Sequence, residues 1–222
     1  MSGVPETVTR GKERAGGPAG AGRPAAARRR RHWLREYGEV TLTALLLAFV
    51  IRTFVVQAFR IPSSSMEDTL QVGDFLLVNK FIYGAKVPFT HWHLPGLRSP
   101  QRGDIIVFRA PHVPKDFIKR CVALPGDTVE LRQNVLYVNG QRVTEPFLKL
   151  EGAAPPVANW GPARVPPGQL LMLGDNRNNS QDSRYWGFLD MERMKGQAFV
   201  LYWSWDGSRH LPRFSRIGHL IH

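Results

Sequence analysis

The sequence predicts an all-β domain of antiparallel sheets tethered behind one N-terminal membrane helix. Three observations carry that reading. From Phe59 onward the apolar residues come in short β-branched or aromatic runs, punctuated by Gly, Pro and Asp, with no long helical period. Ahead of them, Tyr37–Ala58 is the one segment that reaches roughly the 20 residues a bilayer needs. Before that segment the chain is basic and rich in Gly, Ala and Pro. With 43% hydrophobic residues in 222 there is enough apolar material for a packed core.

Taken in order, residues 1–36 read as a disordered basic tail. Such a composition buries too little apolar surface to offset its chain entropy. Through Tyr37 there are nine basic and three acidic residues, a net +6, half of the chain's formal +12. Residues 37–58 read as the membrane helix. Leu42–Ile51 is its apolar centre, and Arg52 lies near one end, where a long side chain snorkels to the headgroups. Basic residues ahead of the helix, including Arg28–Arg31, place the N-terminus in the cytoplasm and everything from residue 59 outside. A cleaved signal peptide is the competing reading, since Val56-Gln57-Ala58 is a small-residue cleavage pattern. The long tail and the interrupting Arg52 favour an uncleaved anchor.

Residues 59–222 form the outer domain. Strands are predicted at 75–78, 104–108, 117–122, 128–131 and 198–202, and Val135–Val143 reads as a hairpin turning at Asn139-Gly140. That hairpin belongs to an insertion of about 128–165, and loops at about 84–103 and 146–169 divide the strands. The single cysteine, Cys121, excludes an intramolecular disulfide, and the chain has no Cys/His zinc spacing, so neither metal nor cofactor is expected.

Four clusters carry possible chemistry. Ile61-Pro62-Ser63-Ser64-Ser65-Met66 directly follows the predicted anchor; three serines alone are ordinarily a loop. In the strand Phe117-Ile118-Lys119-Arg120-Cys121-Val122-Ala123, alternation puts Lys119 on the apolar face with Phe117, Cys121 and Ala123, and Arg120 on the other. A lysine on such a face reaches solvent, finds a partner, or loses its proton, and desolvation can make it a base near neutral pH. Gly174–Gly187 is dense in hydrogen-bonding side chains, which suggests a fixed polar loop or a surface turn. Arg102-Gly103-Asp104 opens a strand.

Together these motifs resemble bacterial type I signal peptidases, membrane-anchored serine proteases that remove signal peptides from exported proteins. The likeness runs through IRTFVVQAFRIPSSSM, RGDIIVF, FIKRCVALPGD, GDNRNNSQDSRYWG and the terminal FSRIGHLIH, leaving only the tail uncovered. It implies Ser65 as nucleophile and Lys119 as general base. It also implies Ser63, with the Ser65 backbone N–H, as the oxyanion hole, Ser180 as orienter of the lysine amine, and Asp182 with Arg184 as a supporting charged pair. Phe59, Ile61, Pro62, Met66, Leu70, Phe117 and Ile118 would line shallow pockets for small residues at −3 and −1 of the substrate. The implied partners are preprotein signal peptides and the lipid bilayer; no nucleic acid is expected, and the protein is expected to be monomeric. The chain departs from the family pattern at Ser64, often Gly, at Asp68, usually Pro, and at Asn178, usually Asp.

Other classes fit less well. A non-enzymatic tethered module would rest on tail charge alone, which the membrane flank already explains. A Ser-Lys self-cleaving repressor would be soluble and carry a DNA-binding region. A His-based hydrolase has seven histidines to draw on, none in a nucleophile or carboxylate motif.

Overall fold

The structure is a computed structural model that describes Gly3 and residues 25–84, 94–150 and 158–222. The first element is helix α1, Ala25–Val50, followed by one π-helical turn, Ile51–Val55. Two expectations change here. Residues 25–36, read as part of a disordered tail, are helical, because alanine and arginine are among the strongest helix formers. At the other end the helix stops short of Ala58: Val56–Arg60 is strand β1. Its β-branched and aromatic residues pair antiparallel with the next strand, with Ala58 opposite Leu77. Cleavage after Ala58 would therefore cut a paired strand.

Among the described residues no helix is long and apolar enough to cross a membrane. The apolar run Leu42–Ile51 rises only about 15 Å at 1.5 Å per residue, about half of the hydrocarbon thickness. Its large side chains are nevertheless uncovered: Leu42, Leu45, Leu46, Leu47 and Phe49 are each about 60–70% exposed.

The strands all lie in the unit that begins at Leu47. They are β1, β2 (Asp74–Asn79), β3 (Ile105–Arg109), β4 (Asp116–Ala123), β5 (Thr128–Arg132), β6 (Val135–Val138), β7 (Gln141–Arg142), β8 (Trp160–Arg164), β9 (Gln169–Leu173), β10 (Leu189–Asp190), β11 (Met194–Asp206) and β12 (Leu211–Pro212). The larger sheet runs β1-β2-β11-β3-β4-β9-β10, with β12 on β11. The expected insertion forms a separate four-stranded sheet, β7-β6-β5-β8. All these pairings are antiparallel. The Asn139-Gly140 turn has both residues at positive φ, 53° and 79°, as a two-residue hairpin requires. Two strands lie in or abut the predicted 146–169 loop: β8, with Gly and Pro at its centre, and β9, which starts at its last residue.

Three packed clusters sit around the larger sheet. One joins Ile61, Met66 and Leu70 to Leu76, Val78, Ile105, Val107, Ala198, Leu201 and Ile221. That cluster seats the serine segment on the sheet: Ile61 N–H donates to the Asp74 carbonyl, and Gly73 N–H returns to that of Ile61. β4 lies centrally between β3 and β9, so its side chains are fixed by a neighbour on either side.

Candidate active site

The serine segment turns tightly after Pro62. Glu67 N–H donates to the Ser64 carbonyl and Leu70 N–H to that of Met66, while Asp68 adopts φ 90°, a region L-residues seldom occupy. Proline, with φ locked near −65°, could not take this shape. The turn leaves Ser65 nearly buried, Ser63 exposed and Ser64 half-buried. Among the described residues, no hydrogen bond occupies the Ser65 N–H.

Across from it, β4 delivers Lys119, whose Nζ lies 2.6 Å from Ser65 Oγ and donates to the Ile118 carbonyl at 2.9 Å. The amine also sits 5.5 Å from the centre of the Phe117 ring, which confirms their shared face. Cys121 packs with Phe117 as alternation predicts, but Ala123 belongs to another cluster. A bulge between Cys121 and Ala123 breaks the alternation there. Lys119 is only 4% exposed. Its burial pulls the amine pKa from 10.5 down to about 8, against the nearby carboxylates Asp182 and Asp175, which hold it up.

The third component is the loop between β9 and the short helix α2, Ser183–Trp186. Asn176 N–H donates to the Ser65 carbonyl at 3.1 Å, and Asn179 Nδ2 donates to Ser64 Oγ at 2.8 Å. Gly174 allows the close approach: a Cβ there would lie 2.2 Å from Ser180 Oγ and 2.5 Å from the Ser65 carbonyl oxygen. Ser180 is thus packed beside Ser65. Among the described residues its Oγ has no hydrogen-bond partner, and the lysine amine is held by Ser65 and Ile118 instead of by Ser180. Asp182 and Arg184 form the expected pair, buried and two-pronged: Arg184 Nε to Oδ1 at 2.8 Å and Nη2 to Oδ2 at 2.9 Å. Asp182 also accepts from Gly174 N–H, and Arg184 donates to the Arg177 carbonyl, so the pair fastens both ends of the loop.

The predicted pocket residues separate into two groups. Met66 and Leu70 are fully buried and Ile61 nearly so, inside the first cluster, where they support the serine turn and present no surface to a substrate. Phe59 and Ile118 are partly buried against that cluster, Phe117 is partly buried in another, and Pro62 is exposed. These four remain available to a bound chain.

Sequence reasoning missed the groups behind the loop. Arg120, expected only to face away from Lys119, is buried and clasps Asp175 through Nε at 2.9 Å and Nη2 at 2.8 Å. Thr69 Oγ1 adds 2.6 Å to the same carboxylate, tying the serine turn to β4 and the loop at one point. The available signal was an arginine on an inner strand, which needs a carboxylate to be buried. His91-Trp92-His93, read as a surface loop, lie outside the described residues; within those, no cluster of metal-ligating side chains is present.

The site thus sets a serine hydroxyl against a buried amine, held by turns of an antiparallel sheet. The sequence matches the family model of signal peptidase, peptidase S26, over residues 34–203. It is 46% identical over 177 residues to a probable signal peptidase I-2 of Synechocystis, covering 77% of this chain and 73% of that one. To signal peptidase I of Pseudomonas fluorescens it is 39% identical over 226 residues, covering 83% and 78%. A crystal structure of a signal peptidase I from Enterococcus faecalis superposes on 45% of this chain and 97% of its own, at 35% identity and TM-score 0.39. The chain belongs to the signal peptidase I family of S26 peptidases.

Proposed function

We propose that this peptidase is a membrane-bound serine endopeptidase that removes N-terminal signal peptides from exported preproteins after small residues at −3 and −1. The observation that carries the reading is the 2.6 Å approach of the buried Lys119 amine to Ser65 Oγ. With burial lowering its pKa, the neutral amine accepts the Ser65 proton as Oγ attacks the scissile carbonyl. The proton then passes to the leaving amine, and water hydrolyses the acyl-enzyme by the same base. This is serine-lysine chemistry, in which no histidine is needed. The Ser65 N–H, free among the described residues, and the Ser63 hydroxyl stabilise the developing oxyanion, each worth about 3 kcal/mol.

The substrate enters as an extended strand. β9 pairs with β4 only from Arg120 onward, so among the described residues Asp116–Lys119 has an open edge on that side. A peptide pairing there would place alternate side chains against Phe117 and Ile118 and toward Phe59 and Pro62. Small residues suit such shallow ground.

The same reading keeps the protein on the cytoplasmic membrane as a monomer, its N-terminus inside and its catalytic domain outside. The exposed apolar side chains of Leu42–Phe49 favour lipid, although the apolar run alone is shorter than a full crossing. For that reason Tyr37 and the π turn would lie at headgroup depth. A second apolar surface, Trp203 edge-on to Phe214 with Leu211, Ile217 and Leu220 exposed nearby in sequence, suits the bilayer surface.

Incubating the detergent-solubilised full chain with a preprotein tests the chemistry. Wild type should release the mature protein and Ser65→Ala should not; turnover by folded Ser65→Ala would overturn it. Protease added to intact spheroplasts should reach the β domain, and its protection there would overturn the topology.

A further inference from the structure

After β7, residues 145–149 pass behind the catalytic loop, and this passage has no counterpart in the motifs that define the site. Three alternate residues on it, 145, 147 and 149, each engage the loop or its partner strand. Glu145 pairs with Arg177, both side chains excluded from water, and Arg177 Nε in turn donates to the Gly174 carbonyl. Phe147 stacks on the Arg120 guanidinium, whose carbon lies 3.6 Å from the ring centre. Lys149 N–H donates to the Asp175 carbonyl at 2.9 Å and its own carbonyl accepts from Arg177 N–H at 3.0 Å, a one-residue parallel bridge opposite Asn176. From the adjacent β5–β6 turn, Asn134 adds acceptors for Arg177 and Arg184.

We propose that the strap 145–149 is a positioning element for the Ser65–Lys119 pair, with Phe147 and Glu145 its positioning residues. It acts through the loop at 174–177, which it clamps, while Lys149 Nζ also lies 3.8 Å from Glu67 of the serine turn. Asn176 of that loop holds the Ser65 carbonyl, and Asp175 is one of two carboxylates acting on Lys119. The other, Asp182, is neutralised by Arg184, as Asp175 is by Arg120. Phe147 shields the Arg120–Asp175 pair from water, and Glu145 satisfies the one guanidinium that reaches the Gly174 carbonyl. Loss of the ring lets water compete for Arg120, leaving the Asp175 carboxylate less compensated. Lys119 then holds its proton more tightly, and the base is less available at a given pH.

This inference rests on the serine-lysine reading, so its test includes Ser65→Ala alongside Phe147→Ala, Phe147→Leu and Phe147→Tyr in the full chain in detergent. With a signal-peptide substrate, Phe147→Ala should lower kcat tenfold or more, leave KM within twofold, and move the acid limb of kcat/KM to higher pH. Phe147→Tyr, which keeps the ring, should restore both; Phe147→Leu, which keeps bulk without an aromatic face, should fall between and serves if the alanine variant does not fold. Folded Phe147→Ala or Phe147→Leu with wild-type kcat and an unmoved acid limb would sink the strap proposal alone. Activity retained in Ser65→Ala would instead sink the dyad.

Discussion

Lys119→Met should abolish peptidase activity and, at neutral pH, make the protein more stable. The amine is buried and its pKa is drawn from 10.5 to about 8, chiefly by desolvation. Because the folded value lies below the unfolded one, the unfolded chain binds more protons between these two pH values, and stability must rise with pH across that window. Below pH 8 the folded protein carries a charged lysine in a site that disfavours it, and the full cost applies. Above 10.5 the amine is neutral in both states and the cost is gone. The displacement corresponds to about 3 kcal/mol at 1.36 kcal/mol per pH unit. Methionine is nearly isosteric and has no charge to desolvate, but it gives up the contacts to Ser65 Oγ and the Ile118 carbonyl, together about 2 kcal/mol. At pH 7 the variant should therefore gain about 1 kcal/mol, and the difference should reverse in favour of wild type near pH 10.5. Denaturant unfolding of both full chains in detergent, followed by tryptophan fluorescence from pH 6 to 11, measures the difference while the remaining titrations cancel. A difference independent of pH, or a variant less stable than wild type at pH 7, would refute the argument that Lys119 is held against its charge.

The same lysine sets the pH dependence of turnover: kcat/KM should fall about tenfold per pH unit below pH 8, and replacing each histidine in turn should leave that limb in place. Ser63→Ala should lower kcat by about 10²–10³ with little change in KM, as measured by steady-state kinetics, while Ser63→Thr retains more activity. Gly174→Ala should be folded but nearly inactive, since its Cβ would meet Ser180 Oγ at 2.2 Å and the Ser65 carbonyl at 2.5 Å; circular dichroism with a cleavage assay checks both halves. At Asp68, with φ 90°, glycine should be tolerated with stability and turnover unchanged or slightly raised, read by thermal unfolding and kinetics.

The strands that sequence reading located are those whose apolar runs are bounded by punctuation: β2, β3, β4, β5, the β6–β7 hairpin and the middle of β11. Each carries its own signal. β8 does not, because Trp160-Gly161-Pro162 reads as a turn and becomes a strand only by pairing with β5. β1 failed for the opposite reason. Val56–Arg60 continues an apolar run, and a run by itself has no period that separates helix from strand. What decides is the partner: Val56 to Arg60 lie opposite Asn79 to Phe75, on the free edge of β2. Sequence alone does not reveal that an edge is waiting.

For the site, the legible part was what local chemistry exposes. A lysine on an apolar strand face and a run of serines are anomalies, and the geometry joins them at 2.6 Å. The illegible part was compensation. Arg120, Asp175, Arg177 and Glu145 look like surface residues one at a time, yet the side chains of all four are buried, because each satisfies another over a long stretch of chain. The pocket expectation erred through the same coupling. The resemblance put Met66 and Leu70 among the substrate contacts, but a turn this tight needs an apolar anchor beneath it, and they supply it inside the cluster that also holds Leu76 and Ile221. Residues adjacent to a reactive group in sequence thus divide by direction. Those pointing into the sheet hold the group in place, and those left at its edge, Ser63 and Pro62 here, are free to meet a substrate.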